Sequence, residues 1–532
     1  MATVARPRGG LSRLGDRPEL RWLDRVPLWA SATLVLLASL AASAYLRTRF
    51  IGGQFWMDEA ITTGISSHSV SAIPGILRHD GNPPLYYLLL HGWISLFGGS
   101  ESATHALSLF FGLLTVPAGM WAAWTLFGRR AGLIAAVLFA FNAWLTNYAQ
   151  ETRMYELMAL LGIVATVSFI QAFVHRRRPY AIAFSVSLAL MLYTHTWGLF
   201  FVLGSLVALI PAYLVVEDRR LLLRDALLAF VAAGIVYLPW LPTFLYQAAH
   251  TAAPWSTKPG LGTPILISRQ VLGGDRVTVV LLGASVFGLW PLFTRRMRRT
   301  REAAVLWALI ILPVVTLAAA WLSSQINPAY VPRYFAPVVA SILLIAAFGC
   351  ARAGAVGLGA LVLSVVFLLN PGSVAAGYKS DMRDVGGVMS PLLHPGDLVI
   401  SGQPEQTPLA WYYLPDGLRY ANTIGPVPNP SYMNWVDADK RLKDASPEAT
   451  LGPLVASLEP GQQLLYVRPL TEGVKNWQAP WTELIRRRSA QWGAILQADV
   501  DGGMLKVVAL APNYYREAPD IADSAVLYKK NG

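Results

Sequence analysis

The chain has 532 residues, of which 54% are hydrophobic and only 14% are charged, a balance that excludes a soluble globular protein and indicates a membrane protein with several spans. Its net charge of +12 would suit a nucleic-acid-binding surface, but the basic residues stand in short clusters between apolar runs, which indicates membrane topology and no nucleic-acid partner. The single cysteine, Cys350, excludes an internal disulfide and a cysteine-based metal site.

A basic N-terminal tail, residues 1–25, precedes the first apolar run, Val26 to Leu46. The run is too long for the apolar part of a cleavable signal, and the charged Arg47 and Arg49 follow it without an obvious cleavage site. We therefore expect an uncleaved first span with the tail in the cytoplasm.

Apolar runs of membrane-spanning length continue to residue 370 and define a transmembrane domain, residues 26–370. Ten further spans are predicted at Ala103–Phe127, Ala131–Tyr148, Met154–Val174, Tyr180–Trp197, Leu199–Val216, Ala226–Trp240, Val277–Phe293, Ala303–Leu322, Tyr334–Cys350 and Ala353–Leu369. The fold class expected is an all-α polytopic membrane protein with about 11 transmembrane helices and a C-terminal soluble domain.

One apolar segment, Pro84 to Phe97, is short and decides the topology. Without it as a span, the inside loops hold Arg129, Arg130, Arg176, Arg177, Arg178, Arg219, Arg220, Arg295, Arg296, Arg298, Arg299 and Arg301. With it, all of these face outside, against the positive-inside rule. We therefore predict a helix along the outer surface, within an external first loop, residues 47–102.

This topology gathers the polar segments on the external face. They are the first loop, NYAQETRMY, YTHTWG, the stretch from Leu241 to Arg276, and SSQINPAYVPRYF. Every polar cluster that could carry chemistry thus lies on one side of the membrane.

The composition becomes polar and mixed after Pro371, so residues 371–532 are predicted to be an external soluble α/β or α+β domain. The segments DLVIS, LLYVRP and the paired AILQAD and MLKVVALA are typical of strands. RDVGGVMSPLL and TELIRRRSAQW are typical of helices.

Asp58 and Glu59, in FWMDEA, stand directly after the first span. A carboxylate costs about 2.5 to 3.5 kcal/mol at mid-membrane depth, so acids beside a bilayer are usually kept for a function. Asp58 could act as a general base on a hydroxyl, and Glu59 could orient it or bind a divalent cation. The alternative is a solvated loop whose acids pair with Arg47, Arg49 or Arg78.

The same loop contains RHDGNPPLYYLL, with His79, Asp80 and Asn82 as candidate substrate-binding residues. The glycine and the two prolines impose a turn and then an extended chain, which would hold His79 and Asp80 near Asp58. Asp80 is the second candidate metal ligand, should a metal be required.

Further candidate substrate-binding residues lie in AQETRMYEL and YTHTWG. At the start of the fourth span, Glu151 and Tyr155 are four residues apart and would share a helix face, so that Glu151 could bind a sugar or acceptor hydroxyl. Arg153 would point elsewhere and could hold a phosphate, or could form an interfacial ion pair. His195 and Trp197 stand in a turn between spans, where a lone histidine is more often an interfacial residue than a zinc ligand.

Candidate cations for a donor phosphate come from two places. VPRYF brings Arg333 and Tyr334 to the external start of the tenth span, where Arg333 could neutralise an anionic leaving group or reach lipid headgroups. Lys258 and Arg269 lie in the long external loop, where ILISRQVL could form a membrane-surface helix.

The motifs WMDEA, HDGNPPLYYLLLHGW, GGSES, YAQETRMYEL, YTHTWG and PRYF, in this order, resemble the GT-C membrane glycosyltransferases. The subgroup is the one similar to protein mannosyltransferases, aminoarabinose transferases and galacturonosyltransferases, and the resemblance covers roughly Phe55 to Pro337. It implies a sugar donor on a polyprenyl phosphate, Asp58 as base with Glu59 beside it, and Glu151 in acceptor or sugar binding. Two departures are Ala103-Thr104-His105 in place of the usual arginine and a C-terminal domain without a matching motif.

The sequence therefore predicts a glycosyltransferase that moves a sugar from a polyprenyl-phosphate donor to a lipid, glycan or protein of the cell envelope. It would work on the non-cytoplasmic face of the plasma (inner) membrane, by direct displacement with inversion expected by analogy alone. No cofactor is expected with certainty, and a divalent cation stays open. The alternatives are a transporter or flippase of lipid-linked saccharides, which would place ionisable residues at mid-membrane, and an envelope scaffold.

Overall fold

A computed structural model describes residues 28–251, 253–294, 300–369, 379–469, 479–512 and 523–532. The predicted cytoplasmic tail, the four arginines between residues 295 and 299, and the predicted domain boundary near residue 370 lie outside the described residues.

The N-terminal two-thirds of the chain is helical. Its helices are α1 Leu28–Thr48, α2 Met57–Ser66, α3 Ile73–Asp80, α4 Leu85–Phe97, α5 Glu101–Phe127, α6 Arg129–Phe141, α7 Ala143–Tyr148, α8 Tyr155–Phe169, α9 Pro179–Thr194, α10 Gly198–Val207, α11 Leu209–Val215, α12 Arg219–Tyr237, α13 Leu241–His250, α14 Thr263–Leu272, α15 Asp275–Leu289, α16 Arg301–Ser323, α17 Ala336–Arg352 and α18 Ala355–Leu368.

Eight helical stretches in the described ranges are long and apolar enough to cross a membrane. They are Trp29–Thr48, Glu101–Phe127, Tyr155–Val174, Gly198–Val215, Arg219–His250, Asp275–Phe293, Arg301–Ser323 and Pro332–Arg352. The other three predicted spans also form helices, but α9 and α18 are shorter, and the third run divides at Asn142, whose side chain accepts a hydrogen bond from Leu145 N and begins α7.

Helix α12 shows how these helices pack. It buries the small residues Ala226, Ala229 and Ala233 and exposes Leu227 and Val231. Small residues allow close helix approach, and an exposed leucine face suits lipid rather than water. The fold is therefore that of an integral membrane protein.

The first loop forms three helices, α2, α3 and α4. Helix α4 has 13 residues, which gives it a length of about 20 Å against a hydrocarbon core of about 30 Å. It is shorter than a full span, and the location along the outer surface predicted for Pro84 to Phe97 stays a prediction.

The C-terminal domain is a mixed sheet between helices. Its elements are α19 Met382–Met389, β1 Leu398–Ser401, α20 Thr407–Tyr413, β2 Arg419–Asn422, β3 Gly425–Val427, α21 Ala438–Asp444, α22 Pro447–Ala456, β4 Gln463–Pro469, α23 Pro480–Asp501, β5 Leu505–Ala511 and β6 Asp523–Lys530. The strand order is β3-β2-β1-β4-β6-β5, with β1 parallel to both β2 and β4, and Val399 opposite Tyr420 and Leu465.

Alternate residues of the central strands fill two cores. Val399 and Leu465 pack with α19 and α20 on one face, whereas Ile400 and Tyr466 pack with α22 and α23 on the other. Helices on both faces are the usual cover of parallel strands.

The prediction of a strand at AILQAD, paired with MLKVVALA, is wrong. The segment is the last part of α23, which buries Ile485, Trp492 and Leu496 at helical spacing. Strand β5 pairs with β6 instead.

The sheet domain packs directly on the first loop. Phe55 and Ala60 belong to the same core as α19 and α20. Arg383 forms an ion pair with Glu101 at 2.8 Å, and Phe55 N donates to the Tyr413 hydroxyl at 2.8 Å. The loop is therefore held between the membrane helices and the sheet domain.

Candidate active site

Asp58 and Glu59 lie in the first turn of α2, where two negative charges favour the helix N-terminus. Trp56, the residue before the helix, is extended, and its N–H donates to Glu59 Oε2 at 3.2 Å. Successive residues on a helix point about 100° apart, so the two carboxylates have different surroundings. Glu59 is fully buried, whereas the side chain of Asp58 is 23% exposed.

Four donors surround the Glu59 carboxylate. His105 Nε2 lies 2.6 Å, Thr152 N 2.8 Å and Lys379 Nζ 2.9 Å from Oε1, in addition to Trp56 N on Oε2. Burial by itself would raise the pKa of Glu59, but the charges and hydrogen bonds of Lys379 and His105 outweigh it and lower the pKa to about 2. Glu59 is an ionised, fully bonded anchor of the first loop.

Asp58 faces a cavity of about 400 Å³. The cavity is lined by residues of the first loop, of the YTHTWG turn, of α13 and of the chain before α17, and Trp435 of the sheet domain also contributes. A mixed aromatic and polar lining of this volume is typical of a small-molecule site.

Two guanidinium groups flank the Asp58 carboxylate. Arg153 Nη2 and Arg333 Nη2 each lie 3.8 Å from Asp58 Oδ2. Arg153 also donates to Thr62 Oγ1 at 2.6 Å, and Arg333 lies over the Trp255 ring at 4.8 Å. The Nε atoms of both arginines are buried without a hydrogen-bond partner among the described residues, so neither guanidinium uses all of its donors. Arg153 lines the cavity, and Arg333 lies behind it beside Trp255 and Tyr334.

Asp80 and Asn82 line the same cavity. Asn82 Nδ2 donates to Asp80 Oδ2 at 2.7 Å. Burial raises the pKa of Asp80 to about 6, and the nearby Asp58 charge acts in the same direction. Asp80 is thus a second carboxyl group with an environment unlike that of Asp58.

An aromatic wall completes the cavity. His195, Trp197 and Tyr334 line it, with the His195 and Tyr334 ring centroids 4.6 Å apart, and Tyr155 packs behind them. Burial, followed by the charges of Arg153 and Arg333, lowers the pKa of His195 to about 3. His195 Nδ1 accepts from Trp197 N at 3.1 Å, so in the neutral ring Nε2 carries the hydrogen and is a donor.

Seven of the predicted site residues are not in the cavity lining. Glu59, Tyr155 and Arg333 lie directly behind it, whereas the other four are placed elsewhere. His79 is half-buried, with Nδ1 at 3.0 Å from Gly75 O. Lys258 is exposed, and Arg269 is paired with the exposed Asp275 at 3.4 Å. Glu151 lies in the turn before α8, because that helix begins only at Tyr155, so the expected shared helix face of Glu151 and Tyr155 is wrong.

The alternative was that Asp58 and Glu59 form ion pairs with nearby loop arginines, and two of these arginines have other partners. Arg47 is buried and donates to Gly112 O and, at 2.7 Å, to Phe139 O, whereas Arg78 lies over the Tyr246 ring at 4.1 Å. Neither contacts Asp58 or Glu59 in any hydrogen bond or ion pair of the described residues.

No group of three or more His, Cys, Asp or Glu residues that could hold a metal ion occurs among the described residues. The Glu59 oxygens already accept four hydrogen bonds, whereas within the described ranges Asp80 accepts from Asn82 and Tyr87 alone. The metal-ligand role considered for these two residues stays a prediction.

His105 and Lys379 are site residues that the sequence did not reveal. His105 stands where the resemblance leads one to expect an arginine, and this departure was the available signal. Lys379 is 320 residues from Glu59 along the chain, and its segment carries no recognisable motif.

No protein-family model and no curated protein sequence matches this chain. Solved structures are similar at 15% sequence identity. ArnT from Cupriavidus metallidurans, an aminoarabinose transferase, matches with a TM-score of 0.58 in the apo state and 0.54 with undecaprenyl phosphate bound, over 96% of this chain and 98% of ArnT. The Archaeoglobus fulgidus oligosaccharyltransferase, in complex with Zn and sulfate, matches with a TM-score of 0.52 over 82% of this chain and 68% of that chain. The predicted GT-C fold is confirmed.

Proposed function

We propose that this protein is a membrane glycosyltransferase that transfers a sugar from a polyprenyl-phosphate donor to a cell-envelope acceptor. The observation that carries the proposal is a single partly exposed carboxylate, Asp58, that faces a cavity between two guanidinium groups. The likeness in fold to ArnT, which has been solved with undecaprenyl phosphate, supports a donor of this class.

The chemistry requires a base for the acceptor and cations for the leaving group. Asp58 takes the proton of the acceptor hydroxyl as its oxygen forms a bond to the anomeric carbon. The bond from that carbon to the phosphate oxygen breaks, and the electron pair leaves with the polyprenyl phosphate. Arg153 and Arg333, whose Nη2 atoms lie beside Asp58, stabilise the charge that develops on the phosphate.

The remaining polar groups of the cavity suit a sugar. The neutral His195 ring offers its Nε2 hydrogen, and Asp80 and Asn82 offer further hydrogen-bonding groups. Trp197 and Tyr334 present aromatic faces against which the C–H faces of a sugar ring can pack.

The distribution of arginines supports an N-terminus in the cytoplasm and a reaction on the opposite face of the plasma membrane. All the cavity residues in the first loop and the YTHTWG turn fall in segments that this topology places outside. The sheet domain, as the predicted unit 371–532, would then also be external.

The test is transfer from a radiolabelled polyprenyl-phosphate sugar in membranes that contain Asp58→Asn. Loss of a general base reduces the rate by about 10²- to 10⁴-fold. Asp444→Asn, an exposed acid on the sheet domain, is the matched control and should transfer at the wild-type rate. Full transfer by a folded Asp58→Asn protein would overturn the assignment of the base.

A further inference from the structure

A second cavity, of about 330 Å³, lies in the sheet domain at the edge where β2 ends. Its lining includes Thr407 at the start of α20, Asn422 at the end of β2, residues 425–429 and 432–434, and Arg441 of α21. The carboxyl ends of parallel strands are the edge at which α/β sheets bind ligands, and the volume is within the range of ligand sites. Nothing in the proposed transfer step uses this cavity.

Three asparagines give the cavity fixed hydrogen-bond donors. Asn422 Oδ1 accepts from Ile424 N at 2.9 Å, Asn429 Oδ1 from Ser431 N at 3.1 Å, and Asn434 Oδ1 from Val436 N at 3.0 Å. Because each oxygen must face its backbone N–H, the orientation of each amide is determined, and its Nδ2 group remains a donor.

Two polar atoms of the lining have no partner in the described part of the chain. Thr407 is only 1% exposed, and its Oγ1 makes no hydrogen bond, nor does the buried Nε of Arg441. Buried polar atoms are nearly always hydrogen-bonded in folded proteins. Thr407 and Arg441 therefore have unused hydrogen-bonding capacity at the cavity lining.

The charges, donors and apolar faces of the lining indicate the class of ligand. Among the described residues of the lining, Arg441 is the only cationic side chain, and it already donates to Asn434 O, so a multiply charged phosphate would lack counter-charges. The amide, hydroxyl and guanidinium donors suit a ligand rich in neutral oxygens. Pro404, Pro426 and the Tyr432 ring supply apolar faces for C–H groups. This combination is that of a saccharide.

The loop that carries this lining contacts, through Ser431, the helix that carries Asp58. A side chain on Gly64 of α2 would come within 1.8 Å of Ser431 O, and His68 Nε2 lies 2.8 Å from Ser431 Oγ. Trp435, next to Asn434, lines the first cavity. Gly64 follows Asp58 by six residues, which is about 9 Å along the helix axis. A chain of sugars could therefore occupy both cavities.

We propose that the second cavity binds the saccharide part of the acceptor at a distance from the reacting hydroxyl. The identification of the ligand as the acceptor rests on the proposed function. The binding site itself is inferred from its lining residues alone. It narrows the acceptor from a lipid, glycan or protein to a molecule with a glycan portion.

The test measures binding of soluble tetrasaccharides of glucose, mannose, galactose, N-acetylglucosamine and arabinose to the full chain in lipid nanodiscs, by saturation-transfer NMR. The Asp58→Asn background, without donor, removes turnover. At least one tetrasaccharide should bind, and Arg441→Gln should weaken it by about tenfold through loss of a charged donor. Arg419→Gln is the control, because Arg419 lies in the same domain, also donates to a backbone carbonyl and does not line the cavity.

A second variant guards against misfolding. Thr407→Val has the same shape and breaks no hydrogen bond within the described structure, so it should fold and yet bind the tetrasaccharide less tightly. Binding of inorganic phosphate alone, no tetrasaccharide binding, or equal affinities of the Arg441→Gln and Arg419→Gln proteins would overturn the inference.

The two proposals fail separately. Transfer by the wild type without any tetrasaccharide binding would remove the second site and leave the glycosyltransferase standing. Binding that depends on Arg441, without transfer from any polyprenyl-phosphate sugar, would support the saccharide site and remove the proposed reaction.

Discussion

Helix α2 has a cavity face, with Asp58, and an anchored face, with Glu59. The two carboxylates differ in burial and in the distance to their partners, although the residues are neighbours. On the cavity face, Asp58 is partly exposed and its two cations stand 3.8 Å away. On the anchored face, Glu59 is fully buried, and its Oε1 lies 2.9 Å from Lys379 Nζ and 2.6 Å from His105 Nε2. The difference teaches that two neighbouring acids on one helix can be left incompletely bonded and bonded completely, which is the division that the proposed base and its anchor require.

The anchored face also joins parts of the chain that are far apart. Glu59 holds α5 through His105, the turn before α8 through Thr152, and the sheet domain through Lys379. A shift of any of these elements would move α2 and with it Asp58. The sheet domain is thus part of what positions the candidate base.

The largest expected effect is on stability, from removing the anchored carboxylate. Glu59→Ala leaves Lys379 without its buried counter-charge and His105 Nε2 without its hydrogen-bond partner, which should cost about 3 to 5 kcal/mol of unfolding free energy. Asp58→Ala, one residue away, should cost much less, because its side chain is partly exposed. Thermal unfolding of both purified variants measures the difference, and equal losses would contradict the division of α2 into two faces.

Substitutions beside the cavity face should lower the rate of sugar transfer rather than the stability of the protein. Arg333→Gln removes a fixed donor to the leaving phosphate and should lower transfer by about 10²-fold with little change in the melting temperature. Arg269→Gln is the matched control, because the sequence made Arg269 a candidate for the same phosphate but the structure pairs it with exposed Asp275. Equal transfer rates of the two variants would remove the leaving-group role of Arg333.

The features best predicted from the sequence were those that depend on local composition. Apolar length alone located the membrane helices, and the cost of an acid beside a bilayer singled out Asp58. Helix starts were less predictable: Glu151 was placed on α8, but the helix begins at Tyr155. AILQAD has apolar residues that suit a strand, and only its packing against the sheet as the end of α23 shows that it is helical.

Contacts between distant segments were beyond prediction. Lys379 reaches Glu59 only because the sheet domain docks on the first loop, and a single sequence contains no signal for that docking. Lys258 and Arg269 had the right charge for a phosphate site, yet charge does not determine where a loop lies.

Glu405 is a buried acid of the sheet domain whose effect on stability can be compared with that of Glu59 on the anchored face. It is 3% exposed, and its Oε1 accepts from Gln403 Nε2 at 2.7 Å and from Trp481 Nε1 at 2.9 Å, both neutral donors. Burial raises the pKa of Glu405 to about 7, whereas Lys379 and His105 hold that of Glu59 near 2. The two acids should therefore respond to pH in opposite directions.

Below its unfolded pKa, near 4.5, Glu405 contributes its full stability as the protonated acid, and this contribution is lost as the pH rises through about 7. The contribution of Glu59 is present above the same unfolded value and is lost as the pH falls through about 2. Glu405→Gln keeps an oxygen for Trp481 and carries no charge, so it should stabilise the protein by about 1 to 3 kcal/mol at pH 8 and change little at pH 5. Melting temperatures at both pH values measure this, and a variant that is less stable than the wild type at pH 8 would show that Glu405 is charge-compensated in the folded protein, as Glu59 is.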